Sequence, residues 1–130
     1  MQLIDEVPEM KWFLGFVALV HVCFMFLEMY PWEFPILLRK LSAETLPEGY
    51  QWRDPPLRLV ATIVHNAGIY NAILAGGLFW AAFVPGGAAR DVSRVFFLGA
   101  TVAGIFGTVT LKSWVTAVQA LLGIVGFALV

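Results

Sequence analysis

Long apolar runs separated by short polar turns dominate this chain. The first extends from about Trp12 to Tyr30, between Lys11 and Pro31, and the second from about Leu57 to Val84, closing on Pro85-Gly86-Gly87. The third covers about Val95 to Leu111, after Arg90, Asp91 and Arg94, and the fourth about Trp114 to Val130, with Lys112 and Ser113 as the turn. At a helical rise of 1.5 Å per residue the first run is roughly 28 Å long, close to a hydrocarbon core of about 30 Å. The second is long enough to tilt or to project beyond the bilayer. Merging the last two runs would bury Lys112 near the bilayer centre, so they read as separate spans. Short turns between consecutive spans predict an all-α, integral membrane antiparallel four-helix bundle, with residues 1–130 as one membrane domain.

Between the first two runs, residues 31–56 form the longest polar connection, and Phe34 to Leu41 reads as a short interfacial amphipathic helix with Arg39 and Lys40 toward headgroups. Pro47, Gly49 and Pro55-Pro56 break the chain before the second span. Trp12, Tyr30 and Trp32 suit the aromatic belt. The small pairs Ala100/Gly104 and Ala103/Gly107, with Gly76-Gly77 and Gly123/Gly126, allow close helix approach, chiefly within one bundle and secondarily as a homodimer seam.

Composition agrees with this reading. Hydrophobic residues make up 60% of the chain and charged residues 13%, against about 45–50% and about 25% in soluble domains. Mean hydropathy is +0.82. A net charge of −1 leaves no basic surface for nucleic acid. The lone cysteine, Cys23, is expected to be a small buried hydrophobe. The N-terminal stretch carries Asp5, Glu6 and Glu9 without an early Lys or Arg, unlike a cleavable signal peptide, so the first run is expected to stay in a plasma or inner membrane. Lys11, Arg90 and Arg94 fall on one side; Arg39, Lys40, Arg53, Arg58 and Lys112 fall on the other, which the positive-inside rule places in the cytoplasm.

Candidate chemistry comes from polar residues inside the runs, because such groups are costly in a bilayer and need a partner or a task. They are His21, Glu28, His65, Asn66, Tyr70, Asn71 and Gln119. If the face touched by the first and third loops is zero depth, Glu28 is expected roughly 3 Å in and His21 roughly 14 Å in. His65 and Asn66 fall at roughly 10–12 Å, Tyr70 and Asn71 at roughly 18–20 Å, and Gln119 at roughly 8–10 Å. His21 and Glu28 share a helix face, as do Asn66 and Tyr70, while His65 and Asn71 point away from the latter stripe. Gly68 leaves space beside it. A metal site from His21, Glu28 and His65 is disfavoured, because the first two lie roughly 10 Å apart along their helix.

Val20-His21 through Glu28-Met29-Tyr30-Pro31-Trp32, Asn66-Ala67-Gly68-Ile69-Tyr70-Asn71 through Gly76-Gly77-Leu78, Phe96-Phe97-Leu98-Gly99 into Ala103-Gly104 and Gly107, and Val118-Gln119-Ala120 carry a resemblance. The pattern resembles a family of small four-span integral membrane proteins catalogued as a domain of unknown function. The resemblance implies a fold and no activity.

Three functions compete. A lipophilic small molecule would suit the polar zone, bound only or turned over without a cofactor by acid–base isomerisation, hydration or cyclisation. His21 and Glu28 would then be catalytic, and His65, Asn66, Tyr70, Asn71 and Gln119 substrate-binding. A proton-coupled transporter acting as a dimer is the second, and a non-catalytic membrane subunit the third.

Overall fold

The computed structural model describes residues 8–32, 35–36, 38–39, 54–85 and 87–130. Four helices account for most of them: α1 (Pro8–Met29), α2 (Pro55–Ala81), α3 (Gly87–Leu111) and α4 (Trp114–Leu129). No strand occurs among the described residues. Two helices open on proline, which the first turn tolerates because its missing N–H has no intrahelical partner to lose. Of the interfacial helix expected over Phe34 to Leu41, Ile36, Leu38 and Arg39 are helical. Its other residues past Pro35, with the breaks at Pro47 and Gly49, lie outside the described residues.

Three helices, α1 to α3, are long and apolar enough to cross a membrane. The fourth has 16 residues. α3 starts eight residues before the apolar run, so Arg90, Asp91 and Arg94 are helical and belong to its first two turns. Most of each candidate span faces outward, and large apolar side chains such as Trp12, Phe83, Phe106 and Val109 are exposed. Cys23 is exposed too, not buried. It lies two residues beyond buried His21, about 200° around the helix from the inward stripe.

The chain divides into two compact units, one of residues 1–20 with 74–130 and one of residues 21–73. In the first, Leu14, Val17 and Ala18 of α1, Leu78 and Ala81 of α2 and Phe97 of α3 form a buried core with Ala82, Ala89 and Val130. α3 turns inward Ala89, Ser93, Phe97, Ala100 and Gly104, and α4 turns inward Gln119, Ala120, Gly123 and Gly126. These two helices form a hairpin with almost no side chain between their backbones. A Cβ on Gly104 would stand 2.8 Å from the Thr116 carbonyl oxygen, and one on Gly123 would stand 2.6 Å from the Thr101 nitrogen. Gly107 meets Thr116, and Gly126 meets the Phe97 ring. Rising numbers on α3 match falling numbers on α4, so the pair is antiparallel. Thr108 hydroxyl donates to the Gly104 carbonyl at 2.7 Å and lies 3.2 Å from the Thr116 hydroxyl, so polar groups in the seam are satisfied locally.

The turn is short and specific. Lys112 takes φ 49°, the left-handed conformation that commonly ends a helix. Ser113 then caps α4, its hydroxyl accepting from the Val115 N–H at 3.3 Å.

Candidate functional site

The second unit, residues 21–73, holds His21, Glu28, His65, Asn66, Tyr70 and Asn71, every polar candidate from the apolar runs except Gln119. Its inward stripe on α2 is Leu57, Ala61, His65, Gly68 and Asn71, at the three- and four-residue steps of one helix face. The α1 stripe continues from buried His21 to half-buried Glu28. His21 is fully buried, with the Phe24 ring edge-on at 5.9 Å.

Three contacts fix how α1 and α2 meet here. The Asn71 amide Nδ2 donates to Glu28 Oε2 at 2.7 Å. Met29 occupies the room left by Gly68, where an added Cβ would lie 3.2 Å from its sulfur. Trp32 stacks on His65, with ring centroids 4.1 Å apart and planes 7° from parallel. Numbers fall on α2 as they rise on α1, so these segments are antiparallel.

This register corrects the expected depths. Counting residues along the two runs separates Glu28 and Asn71 by about 15 Å along the membrane normal, yet they share a hydrogen bond. The reason lies in the segment after α1. The chain turns at Tyr30, whose carbonyl accepts from the Ile36 N–H at 2.9 Å, and Leu38 packs with Ala61 as a small buried cluster. Leu38 therefore covers α2 at Ala61, and the end of α1 meets α2 about two turns further along. The two pairs on α2 do fall on different faces. His65 and Asn71 face inward, Asn66 is exposed, and Tyr70 is 66% exposed on the outer face.

Beside these contacts lies a cavity of about 520 Å³, lined by Met29, Trp32, Arg58, Ala61, Thr62, His65, Asn66 and Ile69. His65 retains 9% of its surface, and its Nε2 is buried without a hydrogen-bond partner among the described residues. Asn71 Oδ1 is likewise unpartnered among them. A buried polar atom left in this state costs about 1–3 kcal/mol unless a further group satisfies it. Among the described residues no three His, Cys, Asp or Glu side chains gather as a metal site.

The structure thus brings together Glu28 with Asn71, and His65 with Asn66 at the cavity. His21 and Glu28 remain two turns apart on α1. Gln119 is buried on α4 in the other unit. Arg58, Thr62, Met29 and Trp32 line the cavity without being among the site residues expected from the sequence. Arg58, Thr62, Asn66 and Ile69 follow a helical step along one side of α2, a signal visible once Arg58 is counted as part of the helix. Trp32 carries no such signal, because its position depends on the turn after Met29.

The described residues define an all-α fold with four long helices, three of them apolar enough to cross a membrane, and a cavity beside the end of α1 and the first half of α2. The chain belongs to the family described as protein of unknown function DUF1304, whose model matches residues 15–130. The stretches that carry the resemblance fall within that match. No curated protein and no solved structure matches the chain.

Proposed function

We propose that this chain is an integral membrane protein, an antiparallel four-helix bundle, that binds one lipophilic small molecule in the cavity beside α2. The observation that carries this reading is the cavity's lining: an apolar wall of Met29, Trp32, Ala61 and Ile69 facing Arg58, Thr62, Asn66 and His65, whose Nε2 has no partner among the described residues. Its volume lies within the range of about 300–1,000 Å³ that small-molecule sites occupy. A bound molecule with one polar group would match the polar side of this lining.

Acid–base turnover without a cofactor is an extension of the same reading. Among the lining residues His65 brings an imidazole, whose two ring nitrogens can donate and accept, so the extension adds it to His21 and Glu28 as a candidate for that work. Glu28 is engaged by Asn71 and does not line the cavity. The dimer seam loses its main argument, since Gly104 and Gly107 are occupied by α4.

Native mass spectrometry of the gently extracted protein tests the proposal. Wild type is expected to carry a one-to-one lipophilic adduct. Thr62→Trp, which fills the cavity from an exposed position, should lose it, and Tyr70→Ala on the outer face should keep it. A wild type without adduct, or an adduct that survives Thr62→Trp, overturns the reading.

A further inference from the structure

We infer that the molecule taken by this cavity is a single-chain amphiphile with an anionic head, a carboxylate or a phosphate, seated at the Arg58 end. The inference rests on the reading of the cavity as a ligand site and adds the polarity and direction of the ligand.

Charge is the first argument. Among the lining residues Arg58 is the one with a permanent formal charge, and no carboxylate lines the cavity among the described residues. Its guanidinium offers the paired donors that carboxylate and phosphate oxygens accept, whereas an ammonium head would meet like charge. The backbone adds to this preference. Arg58 is the fourth residue of α2, in the turn where the helix dipole presents its positive end.

Direction is the second. Arg58, Thr62, His65 with Asn66, and Ile69 succeed one another over about 16 Å of the α2 axis. The cavity therefore begins at a cation, passes hydroxyl, imidazole and amide groups, and ends on Ile69, the lining residue furthest from Arg58 along α2. A head at Arg58 directs the chain toward Ile69, along the apolar wall of Met29, Trp32 and Ala61. The His65 side chain, nine-tenths buried and with an Nε2 that has no partner among the described residues, lines the cavity between these ends. The Trp32 ring, stacked on His65, offers a flat apolar wall beside that point. A volume of about 520 Å³ suits one chain better than two.

The test uses the full-length protein in phosphatidylcholine nanodiscs, titrated with oleate, oleyl phosphate, oleyl alcohol and oleylamine, with bound molecules counted by native mass spectrometry. At least one of the two anions is expected to bind about tenfold more tightly than the alcohol, and the amine most weakly. The tighter anion identifies the head. Arg58→Gln should remove that tenfold preference, bringing both anions to the affinity of the alcohol, and Arg58→Lys should keep most of it. Alcohol or amine binding as tight as both anions, with all probes excluded by Thr62→Trp, would overturn the anionic head and leave the cavity reading intact. An anion preference that persists in Arg58→Gln would overturn the anionic head at Arg58 in the same way. Failure of every probe to bind wild type would overturn both.

Discussion

At the scale of the residue, the hydrogen bond from Asn71 to Glu28 shows how a carboxyl group is accommodated near the end of an apolar helix. An acidic side chain there has two options, to reach the interface or to find a donor, and Glu28 has a donor 2.7 Å away. A double-mutant cycle on Glu28→Ala and Asn71→Ala, read by reversible unfolding in mixed micelles, should return a coupling of about 1–2 kcal/mol. Zero coupling would mean that the two side chains do not support one another. The sequence shows that Glu28 and Asn71 are polar positions needing partners, and places His21 and Glu28 on one face. It does not show that Glu28 and Asn71 partner each other. That pairing depends on where α1 stops relative to α2, which the turn at Tyr30 and the packing of Leu38 on Ala61 decide.

At the scale of the element, glycine has two opposite roles within these helices. Gly76 has nothing within 4 Å of the position a Cβ would take, so alanine there adds helix propensity without a clash. Gly104 abuts the α4 backbone, and a methyl group would force the hairpin apart. Gly76→Ala should therefore raise stability by about 0.5–1 kcal/mol, while Gly104→Ala should lower it by about 1–3 kcal/mol, both measured by thermal unfolding in detergent. A matching sign for the two would refute the seam. The helices themselves are legible from the apolar runs, as is the break at Lys112 and Ser113, since a cation at mid-membrane would be costly. The early start of α3 is not, because its charged residues read as a loop by polarity although nothing in Ala88 to Arg94 breaks a helix. Small-residue spacing on α3 announces a close contact without naming the partner; α4 fills that place.

At the scale of the whole molecule, the outward-facing apolar side chains of α1 to α3 call for a surrounding that is not water. Four crossings would put the first loop and the Lys112 turn on one side, and the loop at Pro85 with both termini on the other. Reporter fusions after Arg53 and at Lys112 should give one signal, and fusions at Gly86 and after Val130 the opposite one. Mixed signals at every site would instead favour dual insertion and the transporter reading. The α3–α4 seam has a further consequence, for how such a chain can change over generations. Every amino-acid replacement of glycine enlarges the side chain, so at Gly104 and Gly123 each coding change moves toward collision and none toward tolerance. The outward-facing sides of the same helices carry no such restriction. The hairpin is thus free to drift on its outside and held still along its inside, and the line between the two follows the turns of the helix.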